Sequence, residues 1–549
     1  MKEYDVIVIG AGFAGPVAAK RCADAGLDVL MIERAERVGE KVISGLTIPV
    51  YGFLFGPAFI RDGNPPIERP VDGIINYIIK DIDKADIEID DTLRIPKPFA
   101  PIVAFGYNAY CKPFCEWEAK KAVEAGAELR TSTVADEVIM ENGIVRGIVT
   151  GEGEEIRARI VISAEGSQGL VAVKAGVRGK YPPEAISLAD IYDYEMPKER
   201  VDEIFGFSVR FCWGWDEQRI APPLGHGNGL MVWPYRESLH FMQDQCLSMG
   251  GDDVRNLKKL FDEYHGNITA KLPWWRNEVL PHARLRARMW EGFEIFVGLD
   301  ERLRAMPKHT AGMLLVGDAA GLESTELCDG VPAAWISADI AAGVAVEALR
   351  AGDVSSHFLS RYDKRIMAHP ILQWSISGTN RYNLRYAQKE HSLRRLKRHV
   401  HDGWGMGALT HVSSPLMKTI FIHIIRDPLV ITKWMKMFYR YYYNWHHRRF
   451  DYAEPHHAVG TGHGGGWFRL RFHIKTCLSA LFAPVIWALS LALLPVSGIF
   501  NPLMKLLLPL MEPFYGALLG LLSPLAERLS RGAVENTVSA DPSLFEVRS

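Results

Sequence analysis

The chain lacks the cysteine pattern of a metal site. Its seven cysteines (Cys22, Cys111, Cys115, Cys212, Cys246, Cys328 and Cys477) are scattered, and none forms C-x-x-C. A zinc or cubane iron–sulfur site within this chain is therefore not expected. Cys111 and Cys115 stand four apart, a spacing that alone is more often packing than ligation. An odd count with no framework points to a reducing compartment. His446-His447, His456-His457 and His463 have no acid or cysteine at ligand spacing, so they read as linker and no metal is expected. Excess charge is lacking too: the net charge is −2 over 549 residues, and no global field points to nucleic acid. The first apolar strand starts almost at Met1, so no secretory leader is expected. A chain of this length should hold more than one domain.

The informative stretch runs from Tyr4 to Arg34. A short β-branched run, Val6-Ile7-Val8-Ile9, suits a buried parallel strand. Gly10-Ala11-Gly12-Phe13-Ala14-Gly15 follows. Gly10 permits the tight turn, Gly12 lets the backbone approach a pyrophosphate, and Gly15 lets the next helix pack closely. That helix carries Ala18, Ala19, Cys22, Ala23 and Ala25 and ends at Gly26. Its N-terminus favours an anion. A second strand ends at Glu33, where an acid accepts hydrogen bonds from ribose hydroxyls. Strand, glycines, helix, strand and acid in this order read as a dinucleotide site for FAD or NAD rather than NADP.

Further along, the loop Glu40 to Leu46 either folds back over a bound dinucleotide or is ordinary surface. Residues 49 to 105 read as a mixed insertion with two or three short strands. A helical pattern begins at Cys115, Glu141-Asn142-Gly143 punctuates a β-hairpin, and Arg157 to Ile162 is a strand leading into Ser163-Ala164-Glu165-Gly166-Ser167. Residues 180 to 310 have the alternation and aromatics of an antiparallel sheet over a site, with a helix at Asp252 to Tyr264. At Gly317-Asp318-Ala319-Ala320-Gly321 an apolar strand again runs into glycine and acid. Gly330 and a small-residue helix, Val331 to Leu349, follow.

These three glycine-bearing stretches, in this order, resemble the glutathione-reductase-type FAD fold of aromatic hydroxylases, geranylgeranyl reductases and electron-transfer-flavoprotein dehydrogenases. Glu40-Lys41-Val42-Ile43-Ser44-Gly45, Phe114-Cys115-Glu116-Trp117, Ala125-Gly126-Ala127-Glu128-Leu129, Pro182-Pro183-Glu184-Ala185-Ile186 and Ala305-Met306-Pro307-Lys308 resemble the FixC and electron transfer flavoprotein–quinone oxidoreductase family within that group. The resemblance covers about residues 3 to 365. It departs at Glu165, where the family has Asp, and at Cys115, where it has an acid. Val232-Trp233-Pro234-Tyr235 is only loosely similar to the geranylgeranyl reductase signature. The resemblance implies FAD as cofactor. Gly10, Gly12, Phe13, Ala14, Gly15, Glu33 and Arg34 would hold its ADP half, and Ser44 and Gly45 would lie over the flavin ring. Gly317 and Asp318 would hold the ribityl and diphosphate, with Val134, Glu165, Gly166 and Gly330 completing the contacts. No catalytic acid, base or nucleophile is required, and none is named.

The C-terminal third is of another kind. Residues 415 to 450 are basic, aromatic and amphipathic, and read as lying on a membrane surface or as a solvated helix with one core face. Gly460 to Gly466 marks a flexible boundary. Thr476 to Phe500 holds 25 residues without a charge, above the ~20 that cross a bilayer core. Arg469, Arg471 and Lys475 precede it and put that end in the cytoplasm. Leu503 to Leu525 is a second, interrupted apolar stretch, so one span or a monotopic hairpin both stay open.

The expected architecture is α/β, a Rossmann FAD domain of the glutathione reductase type with an inserted, mainly antiparallel β-sheet domain and a helical C-terminal membrane-attachment region. The FAD domain takes residues 1–180 and 311–365, and the sheet domain 181–310. A basic aromatic region (366–465), a membrane anchor (466–530) and a tail (531–549) follow. The expected function is a FAD oxidoreductase at the cytoplasmic face of the membrane. It would take electrons from electron transfer flavoprotein and pass them to a membrane quinone, directly or through a separate ferredoxin-like iron–sulfur subunit. The alternatives are a prenyl reductase acting on an isoprenoid membrane lipid, whose sheet domain should enclose a long apolar tunnel, and a non-catalytic membrane adaptor.

Overall fold

The computed structural model describes the chain apart from residues 1, 41–43, 82, 91–103, 214–229, 248–254, 295–300, 324–328, 373–405, 448, 451–457, 460–473, 475, 505 and 508–549. The histidines at 456, 457 and 463, the glycine run, most of the second apolar stretch and the tail lie outside the described residues.

The strand Glu3–Ile9 is the middle of a parallel sheet because its residues are apolar on both faces; Val6, Ile7 and Val8 are fully buried. It pairs in parallel with Val29–Ile32 on one side and Glu155–Ser163 on the other, so that Val8 sits between Met31 and Ile162. Glu128–Arg130 and Met313–Leu315 extend the sheet at its two ends, again in parallel. The predicted hairpin joins Ala135–Glu141 to Ile144–Thr150. Asn142 and Gly143 both take positive φ there, 51° and 76°, as a two-residue turn of this twist requires. The helix Gly15–Asp24 packs between Cys111–Glu124 and Val331–Ala351. The helical pattern read from Cys115 starts one turn earlier, at Cys111. Val331–Ala351 is long and apolar enough for a membrane, yet its helical window is 78% buried: it is a core helix.

A seven-stranded sheet forms the second layer, in the order Arg284–Phe293, Ser187–Glu195, Ser238–Cys246, Leu230–Pro234, Ser208–Trp213, Gly73–Asp81 and Asp86–Asp90. All its pairings are antiparallel except Ser208–Trp213 with Gly73–Asp81. Two strands therefore come from residues 73–90, well ahead of position 181. Alternation gives this sheet two faces. Tyr192, Val232 and Phe241 pack on the fully buried Trp275 behind it, whereas Ile191, Val209, Met231 and Met242 face the other way.

The C-terminal helices Met406–Arg426 and Val430–His447 close the fold. The second helix is less exposed than a membrane-surface reading requires. Trp434, Met437 and Tyr441 are buried against the FAD domain, with the Tyr441 ring 5.5 Å from Phe53 and 5.1 Å from Tyr107. The Tyr441 hydroxyl donates to Ile60 O at 3.0 Å, and Arg440 donates to Gly63 O at 2.6 Å. The segment is a helix with one core face. Beyond it, Ala483–Met504 is the second helix apolar enough for a membrane, and only 17% of its window is buried.

Trp335 lies at the join of these layers, fully buried, with its ring centroid 5.5 Å from Phe53 and 5.7 Å from Phe114. Trp335→Ala should cost about 3–5 kcal/mol of stability, read as a lower urea midpoint. An unchanged midpoint would show that this cluster is not a structural join.

Candidate functional site

The first strand–helix turn has the geometry the glycines predict. Gly10 has φ +98°, and a Cβ there would lie 2.4 Å from Ala164 O. A Cβ on Gly15 would lie 1.9 Å from Gly10 O, which only glycine avoids. Nothing lies within 4 Å of a Cβ built on Gly12 or Gly166, so backbone is left open to a ligand at both. Glu33 turns back on this loop: its Oε2 accepts from Ala11 N at 3.0 Å and its Oε1 from Ala35 N at 2.9 Å. Its carboxylate borders a cavity of about 1150 Å³.

That cavity gathers most of the predicted residues. Gly10, Gly12, Phe13, Ala14, Glu33 and Arg34 lie on its wall, as do Ser44, Gly45, Val134, Glu165, Gly166, Asp318 and Gly330. Gly15 and Gly317 do not. They are scaffold: Gly15 makes the helix–strand contact, and Gly317, at φ +58°, donates its N–H to Ser337 Oγ at 3.0 Å. The Glu165 carboxylate is engaged by the protein itself. It accepts from Ser163 Oγ at 2.7 Å and Val171 N at 3.0 Å, so it holds its own turn. Among the described residues the wall includes Cys111, with its Sγ 3.7 Å from Ser44 Oγ, but not Cys115. Burial raises both thiols well above their usual range.

The open glycines and the acid at Glu33 fit FAD, whose ADP half Gly12 and Glu33 would hold. The volume also exceeds the ~300–1,000 Å³ of ordinary small-molecule pockets, which leaves space for a second ligand. The sheet-side part of the wall is apolar. Val71, Ile74 and Trp233 join the inward face of the seven-stranded sheet, and Pro415, Leu416 and Ile420 close the far end.

Among the described residues, several buried carboxyl groups gather beside Asp318. Asp318, Glu323 and Asp329 are on the wall, and Glu294 has an oxygen within 4.8 Å of those of Asp318 and Glu323. Burial raises Asp318 to about 6 and Asp329 to about 7. Glu294 and Glu323 are raised further by burial and by the neighbouring Asp318. Tyr51 donates to Asp329 Oδ2 at 2.7 Å. Burial thus makes Asp329, Glu294 and Glu323 hold a proton at higher pH than ordinary carboxyls do, whereas Asp318 is mostly ionised at pH 7.

The sheet domain also props the flavin-side loop, which sequence reasoning missed. Gly45 N donates to His240 Nδ1 at 3.3 Å, so the imidazole proton belongs on Nε2, 3.5 Å from Asp193 Oδ1. Arg286 pairs with Asp193 at 2.7 Å. A Cβ on Gly45 would lie 2.3 Å from the Tyr235 hydroxyl. The period-2 alternation of Met231-Val232-Trp233 was the available signal for the apolar wall; for His240 there was none.

A family model for FAD dependent oxidoreductases matches residues 5–196. The chain is 29% identical over 372 residues to digeranylgeranylglycerophospholipid reductase 1 of Methanopyrus kandleri, covering 66% of this chain and 86% of the relative. It is also 29% identical to digeranylgeranylglycerophospholipid reductase of Methanocella arvoryzae, covering 66% and 83%. The fold matches a geranylgeranyl bacteriochlorophyll reductase-like protein from Thermoplasma acidophilum with a TM-score of 0.54, 22% identity and coverage of 75% and 100%. It matches halogenase PltM with a TM-score of 0.56, 12% identity and coverage of 92% and 97%. The cofactor is FAD and the fold is the expected one. The FixC and quinone-oxidoreductase part of the resemblance finds no support in these comparisons; the two sequence relatives carry lipid-reductase names.

Glu33→Ala should weaken FAD retention about 10- to 100-fold, because two charge-assisted backbone bonds are lost with the ribose contact. The ratio of flavin to protein absorbance after dialysis measures it, and full occupancy would sink the ribose assignment. Asp329 gives a pH test. Unfolded, it ionises near pH 4; folded, it keeps its proton to about pH 7. Its contribution to stability therefore falls as pH rises from about 4 to about 7 and is flat above. In Asp329→Asn the melting temperature should rise at pH 7.5 and lose that slope. An unaltered slope would show that Asp329 ionises normally.

Proposed function

We propose that this FAD-dependent oxidoreductase saturates carbon–carbon double bonds in the isoprenoid chains of a membrane lipid. The observation that carries this reading is the form of the cavity: a flavin end ringed by acids, continuous with an apolar channel that runs along the sheet face to Leu416 and Ile420. A long, branched hydrocarbon chain suits such a channel. The relatives reported above carry a substrate of this kind in their names.

Saturating one double bond takes a hydride and a proton; FAD held here, once reduced by an external two-electron donor, would supply the hydride. The chain's own residues do the rest. The apolar wall excludes water from the reacting carbons. Asp318 and Asp329 hold protons to about pH 6 and 7 at the flavin end. His240 and Tyr235 keep the Ser44–Gly45 loop in place. The exposed apolar face of Ala483–Met504 supports membrane attachment. The cations Arg469, Arg471 and Lys475 ahead of it favour a catalytic domain on the cytoplasmic side.

One observation favours electron transfer as a second reading: the same channel also fits the isoprenoid tail of a quinone. Its donor would be electron transfer flavoprotein and its acceptor a membrane quinone, with or without a ferredoxin-like subunit.

Anaerobic protein reduced with dithionite and freed of excess reductant discriminates the two. Offered a geranylgeranyl lipid in mixed micelles, the flavin should reoxidise and the lipid should gain two hydrogens per bond. Reoxidation by a short-chain quinone with no change in the lipid would overturn the prenyl reading in favour of electron transfer.

A further inference from the structure

The far wall of the cavity and the exposed apolar segment share one helix. Pro415, Leu416 and Ile420 of Met406–Arg426 face the cavity. One turn away, that helix is latched to the apolar segment. Ser413 Oγ and Ser414 N both donate to Asn501 Oδ1, at 2.8 and 2.7 Å, and Asn501 N donates to Ser414 Oγ at 2.8 Å. Ser414 Oγ donates to Gly498 O at 3.0 Å. At the other end, Trp487 Nε1 donates to Ile425 O at 3.1 Å, and Phe421 meets Phe500 with ring centroids 6.0 Å apart. Trp487, Gly498 and Asn501 of the apolar segment are thus tied to this helix.

Its outer side is apolar and exposed. Leu481, Val485, Leu489 and Ile499 are 71, 56, 55 and 57% exposed. The 22-residue helix Ala483–Met504 has a mean hydropathy of 1.9. Water is a poor neighbour for a continuous face of this kind, whereas the acyl region of a bilayer is a good one. Lys418, Arg426 and Lys433 are exposed on the adjoining helices, where anionic headgroups would lie. Pro415 interrupts the backbone ladder of the shared helix where it meets the cavity, which lets that wall bend.

We propose that Met406–Arg426 is a lateral portal: a lipid tail passes from the bilayer, beside Leu416 and Ile420, into the cavity without entering water. The proposal rests on the prenyl-lipid reading for its substrate and on this C-terminal arrangement for its route. A route through lipid matters because each methylene exposed to water on another path adds to the barrier.

Full-length, FAD-loaded protein carrying a spin label at Leu416→Cys or, in parallel, Ile420→Cys tests the route. The protein is placed in phosphatidylcholine–phosphatidylglycerol liposomes. Relaxation by oxygen, which concentrates in the bilayer, is compared with relaxation by an aqueous nickel chelate. A label at Met140→Cys, on the exposed hairpin of the FAD domain, is the water-facing reference. The portal predicts that oxygen acts at least about tenfold more strongly than the chelate at 416 and 420, with the reverse order at 140. Adding a geranylgeranyl lipid should then shield both portal labels from oxygen. Chelate access equal to that at 140 would overturn the portal. Oxygen access that is shielded by a prenylated quinone but not by the geranylgeranyl lipid would keep the portal and overturn the prenyl-lipid reading. Two positions are read so that loss of flavin in one variant leaves the test intact.

Discussion

The dinucleotide end of the molecule depends on how closely the helix Gly15–Asp24 approaches the strand before it. A methyl group at position 15 would collide with the carbonyl of Gly10, and one at position 10 with the carbonyl of Ala164. Those two contacts set the height of the helix N-terminus above the sheet. Glu33 then ties the loop between them through Ala11. The third strand, Glu155–Ser163, enters this arrangement through the Ala164 carbonyl. Its acid, Glu165, lies on the cavity wall and also holds the turn that follows.

A second constraint is the contrast between the two ends of one cavity. Around Asp318 several carboxyl groups share a poorly solvated wall, and burial raises their pKa values, to about 6 for Asp318 and about 7 for Asp329. Along the sheet the wall is hydrocarbon. The proposed addition of hydrogen to an apolar chain would use both environments within one enclosure. The seven-stranded sheet provides this by alternation: one face fills the space behind Trp275, and the other is left to line the channel. Side chains from the same sheet reach under the flavin-side loop, so the sheet both lines the channel and positions the loop.

The C-terminal helices show how composition misleads when the partner surface is distant in sequence. Trp434 and Tyr441 belong to a basic aromatic stretch that reads as interfacial. In the fold they meet Phe55, Phe53 and Tyr107, more than three hundred residues earlier. The stretch from Thr476 to Phe500 is different. It has no charges, and where it is described its large apolar side chains remain exposed. Val331–Ala351 passes the same test of length and hydropathy and is a core helix. Apolar length alone does not separate the two; burial does.

By itself the sequence determined what depends on neighbours along the chain. The strand–turn–helix of Tyr4 to Arg34, the Asn142-Gly143 hairpin and the Gly317-Asp318 turn were legible because backbone sterics and short-range periodicity dictate them. Thirteen of the fifteen expected cofactor residues line the cavity; seven sit in those local motifs, and Ser44, Gly45, Val134, Glu165, Gly166 and Gly330 were expected from the family resemblance. Tertiary structure alone decided the rest. It carried Gly73–Asp81 into a sheet beside Ser208–Trp213, set His240 beneath Gly45, gathered acids from positions 294, 318, 323 and 329, and laid Leu416 against the channel. These pairings join residues far apart along the chain. They are selected by burial and complementarity across the whole fold, which no local pattern encodes.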